Sequence, residues 1–421
     1  MNLVSPKLAL PPPLRGAETG TFTQRSVTVR LPAIGQRILS ENEFTTQVVG
    51  RLQMLLDELP DEAVRDLHDQ EAPDWAAWQQ YLAPYRGQSW LEVPWFFAET
   101  YFYRRVLEAT GYFQPGPGFG VDPYAFQKRQ GLEAFAEPIQ AACATVNRQL
   151  SRIKNDQDKL SIDQLCELIL VNLWGNQADL SMWPAGHTER PDHTDRTGQL
   201  SHMLCNHASQ ASEYLYGLKD RPRRVDVMLD NAGLELIHDL LLADFLLESG
   251  LVWAVRLHAK AHPTFVSDAI LPDIQAALAF LAHMENVETR AVAGRLNNAM
   301  QMGQLQLRDH FFWTSPLSMW EMPDSLHHEL GEAALVISKG DANYRRLVGD
   351  RHWPFDTHLE DVWTYFPTSL LALRVSKSQV MVGLQRSQSG VLDQIDPQWM
   401  TNGRWGLVQF YRWNTLNANQ P

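Results

Sequence analysis

Three acids stand at the ends of short apolar runs in the C-terminal half of this sequence. VMLDNAGLELIHDLLLADFLL, residues 227–247, brings the first run to Asp230-Asn231-Ala232-Gly233 and passes at once into an amphipathic pattern. PTFVSDAI carries a second run to Asp268, and ALVISKGDANYRR carries a third to Asp341. Asp230, Asn231 and Asp268 are all oxygen donors. Two carboxylates and an amide carbonyl suit a hard divalent ion such as Mg²⁺ or Mn²⁺. One acid at a strand-helix junction is most simply a helix cap; recurrence on three separate segments argues for a site. Gly233 permits a tight turn there, and the N–H groups of the helix beyond it favour an anion.

A second cluster lies in SKGDANYRRLVGDRHW, residues 338–353. A glycine turn, an acid, Asn343 and Arg345 at this spacing can hold a phosphate or sugar hydroxyls; the plainer reading is a solvated loop opening a helix. LRVSKS adds Arg374 and Lys377 near another strand end, where a lysine can act as a point charge on phosphate. WGNQADLSMW, residues 174–183, offers Asn176 and Asp179 either to a cleft or to a helix cap. Glu99 and Arg104 read as structural, and His258 and His262 as supporting or structural. No HExxH, GxxxxGK[ST] or GxSxG motif occurs, and GPGFG at 116–120 is interrupted by proline and follows no convincing strand.

The elements that must carry these residues follow from periodicity. Residues 1–42 are rich in Pro, Gly, Thr and Ser and read as an extended arm on the body. From 43 to 215, EFTTQVVGRLQMLLDEL, WFFAETYFYRRVLEATGYF, GLEAFAEPIQAACATVNRQLSRI and IDQLCELILVNLWGN repeat apolar residues at three and four, which predicts a helical domain. From 216 to 421, RVDVMLD, LVWAVRLHAK, TFVSDA, AALVISKG, SLLALRVSK and WGLVQFY have strand length, with helical stretches between several of them. That alternation predicts a parallel sheet in a three-layer α/β domain. Ligands of such sheets bind beyond the carboxyl ends of the strands, where the three acids would gather.

The chain has 421 residues, 44% of them hydrophobic, and a formal net charge of -13. This is ample for a full core and disfavours a nucleic-acid binder. Three scattered cysteines argue against a disulfide framework or a zinc ribbon and for a reducing cytoplasm. Neither a signal-peptide pattern nor eighteen consecutive apolar residues is present, so a membrane partner is not expected. With no coiled coil or repeat, the chain reads as a monomer.

The ordered set LDNAGLEL, VSDA, KGDANYR, WGNQADLS and RVSK resembles the metal-dependent damage-control phosphatases. It is most similar to the subgroup that carries the acidic-residue-methyltransferase name and a C-terminal Arg-Thr-x-Lys motif; the likeness runs over nearly the whole chain. The resemblance implies an N-terminal helical domain and a Rossmann-like α/β/α domain. It implies a divalent ion, typically Mn²⁺, Co²⁺ or Ni²⁺, on Asp230, Asn231 and Asp268. Substrate contacts would come from Asp230, Asn231, Asp341, Ala342, Asn343, Tyr344, Arg345 and Lys377, with Asp230 and Asp341 as catalytic acids. The implied reaction is hydrolysis of small sugar phosphates such as fructose 1-phosphate or fructose 6-phosphate, in clearance of damaged or excess metabolites. The nucleophile would be either a water or the Asp230 carboxylate. One position departs from the motif: Val375 stands where it carries Thr. An S-adenosylmethionine-dependent protein-glutamate carboxyl methyltransferase is the alternative, disfavoured by the absence of a glycine-rich loop after a first strand. A non-catalytic sugar-phosphate sensor is a third reading.

Overall fold

A computed structural model of the chain describes residues 5–155, 160–175 and 196–414. Seven strands form one sheet: β1 (Met203–Asn206), β2 (Arg223–Met228), β3 (Val252–Lys260), β4 (Leu305–His310), β5 (Leu335–Lys339), β6 (Ser369–Val375) and β7 (Gly406–Tyr411). Their spatial order is β1-β7-β6-β5-β2-β3-β4. All pairings are parallel except β6 with β7. The chain runs outward from β2 through β3 to β4, then returns to lay β5 on the other side of β2. The order therefore reverses between β2 and β5, and the crevice beyond that junction is where such sheets bind ligands.

The central strands read as near-continuous apolar runs because both faces are covered. Val225 and Val227 of β2, Leu335 and Ile337 of β5, and Leu371, Leu373 and Val375 of β6 enter one core. Met228, Val336, Leu370 and Ala372 enter the other. Each fully buried aliphatic side chain of this kind contributes about 1.5–3 kcal/mol. The α/β class and the three-layer arrangement are as the alternation predicts.

The layers divide the chain differently from the expected 43–215 and 216–421 split. Helices Ala136–Lys154, Ile162–Trp174 and Ala208–Tyr216 pack into the same core as Leu234–Glu248, while residues 14–124 share the opposite core with segments from 312 to 411. β1, inside the expected helical region, joins the sheet. The supposed arm is extended only in part. Residues 7–18 lie along the body through backbone bonds such as Lys7 N–H to Asp361 and Leu14 N–H to Asp350, but Phe22–Glu41 is helical. That run buries Val27, Leu31, Ile34 and Ile38, an apolar stripe at three and four spacing behind a Thr21 cap.

TFVSDA is a turn and not a strand. Phe265 and Val266 hold φ of 47° and 68°, left-handed backbone unfavourable for such side chains, and tertiary contacts override their strand propensity. Among the described residues, no helix is long and apolar enough to cross a membrane.

Candidate functional site

At the β2/β5 junction a recess of about 420 Å³ of empty space is lined by Arg30, Trp95, Asp230, Asn231, Phe265, Asp268, Asp341, Ala342, Arg345 and Lys377. Asp230 and Asn231 follow β2 directly. Asp268 reaches them by a different route: the chain leaves β3, makes the left-handed turn at Phe265-Val266, and forms a one-residue antiparallel bridge between Asn231 and Asp268. Backbone bonds from Ala269 N–H to Asp230 (2.7 Å) and from Ala232 N–H to Ser267 (2.6 Å) fix this register.

This side of the recess is crowded with acid. The Asn231 amide donates to Asp230 Oδ2 and to Glu235 Oε2, both at 2.8 Å, while Asn231 Oδ1 accepts from the Ser267 hydroxyl. Burial, then the neighbouring Asp268 and Glu235 charges, push the Asp230 carboxyl well above the ordinary carboxylate range, against the opposing charges of Lys260 and Lys377. Lys260 Nζ lies 3.0 Å from Asp268 and donates to the Leu229 carbonyl and Asn343 Oδ1. Gly340 abuts the same group: a Cβ there would sit 1.8 Å from Asp230 Oδ2, and its φ is +80°. Both facts require glycine.

Among the described residues, no three His, Cys, Asp or Glu side chains converge as a metal cluster. The set here is two carboxylates and an amide oxygen, all on the recess wall, with more acid than the adjacent lysine balances. These hard donors fit a divalent cation, which would relieve the like-charge repulsion.

The opposite side is built from cations already tied to acids. Arg345 binds Asp350 through Nε (2.8 Å) and an amino group (3.1 Å), donates to Glu99 Oε2, and stacks its guanidinium 3.6 Å from the Trp95 ring centre. Glu99 Oε1 accepts from Arg30 at 2.8 Å and from Ser26 at 3.0 Å. Asp341 accepts from Arg374, the Ser378 hydroxyl and the Lys377 N–H. Burial would raise its carboxyl, yet Arg374, Arg345 and the Ser378 bond outweigh it and hold Asp341 below the usual range. The helix Gly340–Val348 starts here, and Asp341 and Ala342 in its first turn reach the recess. The expected helix N-terminus after Gly233 lies elsewhere: Ala232 and Gly233 line a neighbouring groove.

Two expected substrate contacts turn away from the recess. Asn343 donates to the carbonyls of Leu229 (3.0 Å) and Lys339 (2.9 Å), locking the ends of β2 and β5 together. Tyr344 bonds Val382 and lies under Arg374. Helical spacing explains Asn343, since a residue two beyond Asp341 points to another face; Tyr344, three beyond, is drawn off by its contacts with Val382 and Arg374. Arg374 likewise faces Asp341 and the carbonyls of Ser378 and Val380. Asn176 and Asp179 fall outside the described residues.

Sequence reading missed Arg30, Trp95, Phe265 and Lys260, and took Glu99 as structural although its carboxylate carries two recess arginines. Behind Asn231, Glu235 passes to buried Lys339 (3.1 Å), which also pairs with Asp239 at 2.9 Å and donates to the Asn172 carbonyl.

Residues 26–391 match the family described as the damage-control phosphatase ARMT1-like domain. Proteins named damage-control phosphatase ARMT1 are similar over almost the whole chain. That of Danio rerio is 32% identical, covering 95% of this chain and 97% of its own. Those of Mus musculus and Homo sapiens are 31% and 29% identical, covering 94% and 95% of this chain and 98% of each of theirs. A DUF89 family protein of known structure from Pyrococcus horikoshii is 12% identical, with a TM-score of 0.40, covering 83% of this chain and 90% of its own.

Proposed function

The chain belongs to the damage-control phosphatase ARMT1-like family and is a phosphatase; from that premise we propose that it hydrolyses small sugar phosphate monoesters of the fructose 1-phosphate or fructose 6-phosphate type. Family members are generally metal-dependent, and in this reading a divalent ion, Mn²⁺ foremost, sits on Asp230, Asn231 and Asp268. One observation carries the proposal: an acid-rich wall and a cation-rich wall face each other across a recess at the β2/β5 junction.

When bound, a divalent ion held by these residues would supply Lewis-acid charge. Arg345, Arg30 and Lys377 bind and orient the phosphate oxygens. Trp95 and Phe265 wall the recess with apolar surface and limit water around the ester. Glu99 and Asp350 fix the Arg345 fork before substrate arrives, so little reorganisation is needed as charge develops. Asp341 aims the Lys377 backbone through its accepted bond and fixes the loop that carries that lysine.

The test is release of inorganic phosphate from fructose 1-phosphate by metal-stripped protein, with and without Mn²⁺. Release that needs Mn²⁺ and ends on chelation supports the reading. No release from any sugar phosphate with Mn²⁺, Co²⁺, Ni²⁺ or Mg²⁺ sinks it.

A further inference from the structure

A second cavity, with about 930 Å³ of empty space, shares Arg345 with the recess. It lies between Tyr81, Tyr85 and Phe97 of the N-terminal layer and Leu317, Arg346 and Arg351 of the C-terminal half. Two of its arginines, Arg346 and Arg351, carry an Nε with no acceptor.

Arg346 is 2% exposed. Its guanidinium lies 4.9 Å from the Phe96 ring centre and 5.2 Å from that of Phe312. It donates only to neutral oxygens, namely the carbonyls of Trp313, Ser315 and Leu317 and the Ser315 hydroxyl. Its Nε has no acceptor, and among the described residues no carboxylate lies within ion-pairing distance. Half-buried Arg351 repeats the pattern: one amino group donates to the Pro11 carbonyl, Nε has no acceptor, and among the described residues no carboxylate pairs with it.

The other buried guanidiniums near Arg346 each have their acid. Arg104 holds Asp69 and Asp74, Arg105 holds Glu58, Arg345 holds Glu99 and Asp350, and Arg374 holds Asp341. An unmatched buried charge is costly and calls for a partner. Two acids border the cavity, but Asp350 is committed to Arg345, and exposed Glu321, which caps a short turn through the Ser318 N–H, reaches Arg346 and Arg351 only as a distant charge and not as an ion pair. The Tyr81 hydroxyl lies within Coulomb range of Arg346, and that of Tyr85 within range of Arg351. Neither phenol bonds a protein group among the described residues.

We propose that this cavity binds a small organic oxyanion, a phosphate or carboxylate on an apolar body. Arg351 and the two phenols donate to the anionic group, Arg346 supplies charge, and Pro84, Phe97 and Pro316 cover the apolar part. Because Arg345 and Asp350 border it, occupancy is coupled to the recess, and the ligand acts as an effector distinct from the ester being hydrolysed.

Crystals of the metal-loaded full chain soaked in tungstate test the position directly. Anomalous density between Arg346 and Arg351 is expected, apart from any in the recess. In solution, calorimetric titration with sulfate is expected to find a second equivalent, with affinity about tenfold weaker in Arg351→Gln and in Tyr81→Phe/Tyr85→Phe. Arg351 stands at the half-buried rim, so its replacement leaves the core intact and kcat unchanged. Tungstate confined to the recess or bound nowhere, or sulfate binding identical in wild type and Arg351→Gln, overturns the proposal. Neither readout requires turnover, so loss of the phosphatase reading leaves the test standing.

Discussion

The two walls of the recess solve opposite electrostatic problems. On the Asp230 side, the Asp268 and Glu235 charges crowd the Asp230 carboxyl, against the opposing charges of Lys260 and Lys377. On the Arg345 side, every cation that reaches the recess from an arginine is held by a buried acid: Arg345 by Asp350 and Glu99, Arg30 by Glu99. The first wall crowds acids on Asp230; the second pairs its arginines with acids. Stability and activity should therefore separate on one wall and move together on the other.

The largest effect is expected from Asp230→Asn. Turnover should fall by on the order of a thousandfold, while the melting temperature holds or rises because one of the repelling charges is gone. Thermal melts beside phosphate-release rates check this; a variant that is active, or inactive only because it unfolds, breaks the contrast. Arg345→Met should lower both quantities, because it strands the buried Asp350 and Glu99 carboxylates, a loss of about 3–5 kcal/mol by urea unfolding. Gly340→Ala probes where the walls meet. With its Cβ placed 1.8 Å from Asp230 Oδ2, it should cost both stability and metal affinity, measurable by Mn²⁺ titration.

Acid sensitivity should arise behind the walls. Burial, helped by Lys339, pushes the His238 imidazole down to about 4. The unfolded chain, near 6.5, binds that proton first, so stability is present above about 6.5 and lost as pH falls toward about 4. The contribution is at most about 3 kcal/mol. His238→Phe should flatten the urea midpoint across that window; an unchanged slope removes His238 as the cause. The smallest effect belongs to Val375→Thr. Val375 packs into the core on the sheet face away from the cavity-lining residues, so KM should shift less than about twofold, with a slight stability loss from a buried hydroxyl.

How far this contrast could be read from residue types depends on the wall. Asp230 and Asp341 come after apolar runs that are real strands, so the acids and their shared sheet edge were legible. Asp268 was found through a strand that does not exist: Phe265 and Val266 suggested extended backbone, and the fold bends them into a left-handed turn that still delivers the acid. β1 escaped notice because it is only four residues long, and β4 because its leucines alternate with polar residues and no apolar run marks it. The other wall was nearly illegible. Arg30 sits on a helix hidden in a Thr- and Ser-rich stretch, and Glu99 lies within a helix buried on every side, whose charges are meaningful only beside partners far away in sequence. Local pattern exposes the residues at a strand's end; it cannot reveal which distant helix faces them.

β7 lies beyond the span that matches the family, which stops at residue 391, yet it sits between β1 and β6. A chain trimmed to that span would leave β1 without a neighbour and open the hydrogen-bonding edge of β6 along Leu370 to Val375. That edge is buried along its whole length and apolar but for Ser369 and Arg374, a template for pairing with another chain. Trimming at the family boundary would thus turn a closed enzyme into an aggregating one, with the recess residues all still present.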